Sequence, residues 1–136
     1  MFTKINHMFD FNQNMLNLYS KQQEILASNI ANVDTPGYNA IDINFKETLK
    51  NVINQTSKNY KKINLQHTSS GHLNPKVKNT FFYNIQPVIQ QQIKSNRNTV
   101  DMNYERVNFL KNSLKYQSIL VFMKNDIKNI QQVLQG

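Results

Sequence analysis

Two long helical runs, one at each end of the chain, restrict what this sequence can fold into more than any other feature. In the first, Met8, Phe11, Met15, Leu18, Gln22, Ile25 and Asn29 follow a 3,4 spacing, and Phe9, Leu16, Tyr19, Gln23, Leu26, Ile30 and Val33 form a second seam beside it. In the last, Phe109, Ser113, Tyr116, Leu120, Met123, Ile127, Ile130 and Leu134 alternate steps of four and three. Val100, Asn103, Val107, Leu110, Leu114, Gln117 and Val121 flank that line. Residues at this period share one side of an α-helix, and two adjacent seams make a stripe wide enough for more than one helical neighbour. Asp10 is placed to cap the first helix, predicted from Asp10 to about Val33 and roughly 36 Å long at 1.5 Å per residue. The last helix, capped by Asp101 or Asn98, runs on the order of 50 Å. Asp101 and Glu105 lie near the positive end of its dipole, Lys124 and Lys128 toward the negative end.

The segment between these runs has a different texture. Phe45, Leu49, Val52 and Ile53 predict a short helix begun by Asp42 or Asn44. The run QTSKNYKKINLQHTSSGHLNPKVKN that follows is polar, with Gly71 and Pro75 as breakers. Phe81, Tyr83 and Ile85 alternate as on a strand up to Pro87, and Ile89, Gln91 and Ile93 continue as a second strand. So few apolar anchors bury little surface. The expected fold is mainly α, with long N- and C-terminal helices packing as a coiled coil around a small irregular, β-containing middle. The expected divisions are 1–40 for the first helix and its terminating turn, 41–97 for the middle, and 98–136 for the last helix. The strongest apolar faces sit at the two ends. Paired with each other as a hairpin, they still leave apolar surface uncovered, and such surface calls for partners.

Composition narrows the chemistry. Apolar residues make up 39% of the chain and there are only three glycines, below the ~45–50% of an ordinary globular domain. Without cysteine, neither disulfides nor a thiolate metal site can staple it. The net charge of +8 admits a small basic nucleic-acid-binding protein as one reading. The lysines are scattered, however, and Arg97 and Arg106 are the only arginines, whereas base readout leans on arginine forks. Aromatic residues beside lysine at Tyr60-Lys61-Lys62, and the Phe81-Phe82-Tyr83 run, suit base stacking, but the alternation at Phe81 and Tyr83 fits a buried strand face better. His67 and His72 lie in a Gly- and Pro-bounded polar loop, and no carboxylate stands near them. Asp34, Asp42 and Asp101 read as turn or cap residues, and glycines at 37, 71 and 136 build no phosphate loop. No catalytic, cofactor or metal site is expected, so the chain reads as a non-enzyme. No apolar run approaches the ~20 residues of a membrane span. The opening MFTKINHMFDF has no apolar core followed by a small-residue cleavage site. The chain is therefore expected to be cytosolic, or exported by a route that reads no cleavable signal.

The first helix has a punctuated ending, LASNIANVDTPGYNA, from Leu26 to Ala40. Pro36 biases Thr35 away from the helical region, so the helix must stop by about Asp34. Pro36 and Gly37 then suit the two central positions of a type II turn, with positive φ at Gly37. Tyr38 closes the turn and can fold its ring back over the helix end. Asn29 and Asn32 sit one turn apart, where amides in a packed seam specify register.

Ala27, Ser28, Asn29, Ile30, Ala31, Asn32, Thr35, Pro36, Gly37 and Tyr38 together closely resemble the N-terminal signature of bacterial flagellar rod and hook proteins, roughly Ala-Ser-Asn-Ile-Ala-Asn-x-x-Thr-Pro-Gly-Tyr. The stretch NTVDMNYERVNFLKNSLKYQ resembles the family's second signature, an Asn-x-Val-Asp lead into the C-terminal helix. Its Leu114 to Gln117 segment looks like the proximal rod members; sibling rod and hook subunits usually carry Arg-Ala/Ser-Tyr-Glu there. The short length favours a proximal member as well. Two places depart from the pattern: Thr68-Ser69-Ser70-Gly71-His72 lacks the proline of a Thr-x-Pro-Gly-His-like turn, and Ser95-Asn96-Arg97-Asn98 replaces a frequent Asp-Gly-Asn turn.

The resemblance implies a structural subunit of the basal-body proximal rod, a torque-transmitting drive shaft in the periplasm. It implies export unfolded through the flagellum-specific type III apparatus, without signal cleavage. Its implied partners are further copies, other rod subunits, the rod-base adaptor and the export apparatus, with no nucleic acid and no direct membrane span. The ten signature residues are the expected assembly motif. Val107, Leu110, Leu114, Tyr116, Leu120, Met123, Ile127 and Ile130 are the expected packing residues of the C-terminal helix. The alternatives are a C-type sibling rod subunit and the nucleic-acid-binding reading.

Overall fold

The computed structural model describes residues 2–58, 83–88 and 95–135. In order along the chain come α1 (Phe2–Ala31), β1 (Ile41–Ile43), α2 (Phe45–Lys58), β2 (Ile85–Pro87) and α3 (Met102–Gln135). The fold is mainly α, with the two long helices at the ends and a small two-stranded sheet between them. At 1.5 Å per residue, the 30 residues of α1 and the 34 of α3 span roughly 45 and 51 Å.

Those helices lie against each other as an antiparallel hairpin, the most extensive contact between elements. The direction follows from three pairings: Asn98 bonds the chain just after α1, Glu105 meets Asn29, and Asn112 meets Tyr19 and Gln23. As numbers rise along α3 they fall along α1. The side of α3 turned inward runs Glu105, Phe109, Asn112, Tyr116, Ile119, Met123, Asp126 and Ile130, all buried or half-buried. These steps of four and three keep one seam facing a partner helix.

Helix α1 begins earlier than expected. Asp10 stands inside it, exposed, rather than at its cap. Ile5 and Phe9, both half-buried, carry the 3,4 pattern back beyond Asp10, and α3 is long enough to give them a surface. Packing over that length outweighs a capping preference of about 1 kcal/mol.

The other side of α1 holds the middle segment. Leu18 and Ile25 close with Ile43 into a small core, against which Ile41, Phe45 and Tyr83 pack. The Tyr19 and Phe45 rings meet at 5.2 Å between centroids. Asn44 rather than Asp42 begins α2: its side-chain oxygen accepts from the Glu47 N–H, while Asp42 turns to the N–H of Ile43. The strands pair antiparallel, Ile41 with Pro87, Asp42 with Gln86 and Ile43 with Ile85. Pro87 has no N–H to donate and stands in an edge position, where a strand tolerates it. Tyr83 is packed as the alternation predicts, but Ile85 is 43% exposed; among the described residues the sheet has two strands and no further layer covers it. Phe81, Phe82, the expected strand at Ile89–Ile93, the Tyr60-Lys61-Lys62 run, His67 and His72 lie outside the described residues. Among the described residues no helix is long and apolar enough to cross a membrane.

Candidate functional site

The punctuated end of α1 and the lead into α3 meet in one joint. Past Ala31 the chain leaves the helix through Asn32–Asp34 and makes the predicted turn. The Tyr38 N–H donates to the Thr35 carbonyl at 3.3 Å, and Gly37 holds φ +72°. A Cβ built on Gly37 meets nothing within 4 Å. Glycine is required there by backbone conformation, not by crowding.

Two strap-like contacts tie this turn to the segment before α3. Gly37 donates its N–H to the Asn96 carbonyl at 2.9 Å, and Thr99 donates to the Tyr38 carbonyl at 3.1 Å. The Thr99 hydroxyl accepts from the Ala40 N–H at 2.8 Å. The Ser95–Asn98 turn that makes this possible holds Arg97 at φ 58°, a left-handed conformation that costs a non-glycine residue roughly 1–2 kcal/mol.

Asn98 is the centre of the joint. Fully buried, its amide nitrogen donates to the carbonyls of Asn32, Val33 and Thr35 at 2.9, 3.0 and 2.8 Å. Its own oxygen accepts from the Val100 N–H at 2.8 Å. The last carbonyls of a helix have no partner within the helix, and here a residue sixty-odd positions away supplies one. The sequence marks Asn98 as a possible cap for α3. The structure assigns that role to Asp101, whose carboxylate accepts from the N–H groups of Asn103 and Tyr104 at 3.0 and 3.2 Å. Asn98 closes α1 instead.

Asn29, also fully buried, ties the joint to β1. Its amide donates to the Ile41 carbonyl at 2.8 Å, and its oxygen accepts from the Ile41 N–H and the Tyr38 hydroxyl, both at 3.2 Å. It also makes a side-chain hydrogen bond to Glu105. With these bonds the donors and acceptors of the amide are fully used. The Tyr38 ring thus folds back over the helix end, where its hydroxyl also lies 3.4 Å from that of Ser28. Asn32 stays local, bonding the Ser28 carbonyl and accepting from the Thr35 hydroxyl. Ile30 is half-buried, whereas Ala27, Ser28, Ala31, Thr35, Pro36 and Gly37 are exposed.

The C-terminal packing residues divide. Tyr116, Met123 and Ile130 are half-buried in the hairpin seam. Val107, Leu110 and Leu114 are 48, 64 and 67% exposed, and Val121 beside them 57%; they lie on the side of α3 away from α1. Leu120 and Ile127 are each 43% exposed, on a flank of the seam. The inward steps fall on Ile119 and Asp126 in place of Leu120 and Ile127, a rotation of one residue that periodicity alone does not fix. The contrast is sharp: α3 turns the flanking line Val107, Leu110, Leu114 and Val121 outward and sets Glu105 and Asn112 inward.

Glu105 is 1% exposed. Burial pushes its carboxyl above the usual range, the bond from Asn29 pulls it down, and Asp42 and Asp101 push it up again. Asn112 donates to the Tyr19 carbonyl at 2.9 Å and to the Gln23 side chain. Neither residue stands out in the sequence as a site. The signal available was their seven-residue spacing on the inner seam. Among the described residues no three His, Cys, Asp or Glu side chains gather as metal ligands. The joint can hold two helices in a fixed relation; it offers no reacting group to a substrate.

Comparison with known proteins bears on the same region. Residues 10–39, spanning most of α1 and the turn, match the family described as flagella basal body rod protein. The chain is 55% identical to "Flagellar basal body rod protein FlgB" of Buchnera aphidicola subsp. Acyrthosiphon pisum over 136 residues, covering 100% of both chains. It is 39% identical to the protein of that name from Escherichia coli, covering 100% of this chain and 99% of the relative. The Proteus mirabilis protein of the same name is 38% identical over 99% of this chain and 98% of its own.

Proposed function

The chain belongs to the flagellar basal body rod protein family, as a structural subunit of the proximal rod, and from that premise we propose that it polymerises through its two terminal helices. Its relatives carry the name of a flagellar basal body rod protein, and among the described residues no three His, Cys, Asp or Glu side chains gather as metal ligands. Neither the C-type sibling reading nor the nucleic-acid-binding reading finds support among those relatives. The neighbours are further copies and other rod subunits, with the rod-base adaptor below. The location within the basal body is the periplasmic shaft, reached through the flagellar export apparatus without a cleaved signal.

One observation carries the reading. The outward line Val107, Leu110, Leu114 and Val121 stays exposed while the hairpin is closed. Four aliphatic side chains at heptad spacing form a second coiled-coil seam with no partner inside the described chain. In a shaft built of concentric helices, that seam is covered by a neighbour, and torque passes from subunit to subunit through it. The joint sets the angle at which each helix pair leaves the turn, and the signature residues Asn29, Asn32, Thr35, Gly37 and Tyr38 hold it together with Asn98 and Thr99.

The test is a double variant, Leu110→Glu with Leu114→Glu. Both positions are exposed, so the isolated chain keeps its stability to within about 0.5 kcal/mol per site. Burial of two carboxylates in an apolar subunit contact is prohibitive without partners, so basal bodies purified from cells lack the variant and motility is lost. A motile strain with the variant in its rods overturns the proposal.

A further inference from the structure

The hairpin seam carries two buried polar side chains one heptad apart on α3, and each leaves an oxygen without a hydrogen-bond partner among the described residues. These are Oε2 of Glu105 and Oδ1 of Asn112. Unmet acceptors in a contact between helices are costly, and at Glu105 the cost depends on a proton. The charged groups acting on it are Asp42 on β1 and Asp101 in the turn ahead of α3, both acidic, while α1 faces it with the uncharged Asn29. A carboxylate in that position meets desolvation and two like charges, with one amide bond to compensate. A neutral carboxylic acid avoids both penalties. Asn29 holds Ile41 and Tyr38 at the same time, so whatever happens at Glu105 is felt in the joint.

We propose that Glu105 is a proton-operated latch on the α1–α3 joint: with a proton on its buried carboxyl the hairpin is closed, and when the proton leaves to water the joint loosens and frees both helices for neighbouring subunits. This rests on the reading of α1 and α3 as assembly elements and adds a control to them. The sign follows from linkage. Burial and the acidic neighbours hold the closed-state carboxyl above its ordinary value of about 4.5, to which the open chain returns. The closed state therefore binds more protons than the open one. Its advantage is complete below the ordinary value, falls as pH rises through the raised one, and is constant above it.

The test uses the full purified chain. Thermal unfolding is followed from about pH 4 to about pH 8, a range that brackets ordinary and raised carboxyl values, for the wild type, Glu105→Gln and Asn112→Leu. Glutamine is uncharged throughout, so the melting temperature of Glu105→Gln minus that of the wild type grows with pH, reaching roughly 3–6 °C at the upper end. Asn112→Leu removes the other unmet acceptor and shifts the curve by an amount independent of pH. Parallel pH profiles for wild type and Glu105→Gln overturn the latch. If Glu105→Gln does not fold, carbon NMR of the wild-type Glu105 carboxyl decides. A midpoint above the ordinary value supports the latch, and one at or below it overturns it. All of these readouts come from the isolated chain, so they stand apart from the functional reading, which is decided by the Leu110→Glu with Leu114→Glu variant in cells.

Discussion

Asn98 contributes one amide group, and three backbone carbonyls share its two hydrogens. Replacing it with alanine removes the long-range donor from all three: the Asn32 and Thr35 carbonyls keep the N–H groups of Thr35 and Tyr38, the Val33 carbonyl loses Asn98, and the Val100 N–H loses the Asn98 oxygen. We expect Asn98→Ala to lower stability by about 2–3 kcal/mol, read as a fall in the urea midpoint with little change in slope. Gly37 answers to a different rule. Its φ of +72° strains any L side chain, but the space where a Cβ would stand is open. Gly37→Ala therefore costs about 1 kcal/mol, from backbone strain alone, and Gly37→Val costs more because its β-branch stiffens the same conformation. Equal stability of alanine, valine and glycine forms in urea unfolding contradicts the turn described for residues 35–38. These two residues also show what a sequence discloses. Proline before glycine fixes a turn within four positions, so Pro36-Gly37 is readable directly. Asn98 is equally plain as a capping residue, yet the end it caps is decided by where α1 arrives in space, and no local rule contains that.

Helix boundaries follow from the competition between caps and faces. Of the paired candidates at each start, Asp101 begins α3 and Asn44 begins α2, because in each case that side chain sits where its oxygen reaches free N–H groups of the first turn. Asp101→Ala is expected to cost about 1 kcal/mol through the lost cap and its favourable position on the helix dipole. Asp42→Ala removes a contact to the neighbouring Ile43 N–H and one of the acidic charges near Glu105, and leaves the α2 cap in place. If Asp42→Ala lowers the helical circular dichroism signal more than Asn44→Ala does, the assignment of the α2 cap is wrong. At Asp10 the competition runs the other way, and the apolar pattern through Ile5 and Phe9 extends α1 past a good capping residue. The two helices of the hairpin were legible as periodic runs. The inward line of α3 was legible in part: Phe109, Tyr116, Met123 and Ile130 of the expected seam lie on it, but Glu105 and Asn112, which find polar partners on α1, carry no apolar mark that would place them there.

The whole molecule is unevenly held, and that unevenness is measurable. Bonds that cross between distant parts of the chain concentrate at the joint, through Asn29, Asn98 and Thr99, and the core of Leu18, Ile25 and Ile43 lies beside it. Toward the other end of the hairpin the contacts among the described residues are single-layered: α3 finishes with Val133 and Leu134 each 79% exposed, and Met8 and Phe11 on α1 are more than a third exposed. An isolated helix end with one neighbour and no second layer gains little from propensity alone. Local opening there takes far less free energy than opening the joint. In a dilute solution of the isolated chain, amide exchange is therefore expected to be slowest around residues 18–29 and 98–112. It quickens progressively toward residues 2–10 and 125–135. If neighbours in the rod cover the apolar residues exposed toward this end, Met8, Phe11, Val133 and Leu134, the same distal amides slow by at least tenfold on assembly, since each 1.4 kcal/mol of added burial is a factor of ten. Uniform protection along both helices in the monomer contradicts this gradient. It means that the hairpin is complete by itself and has nothing left to gain from a second subunit.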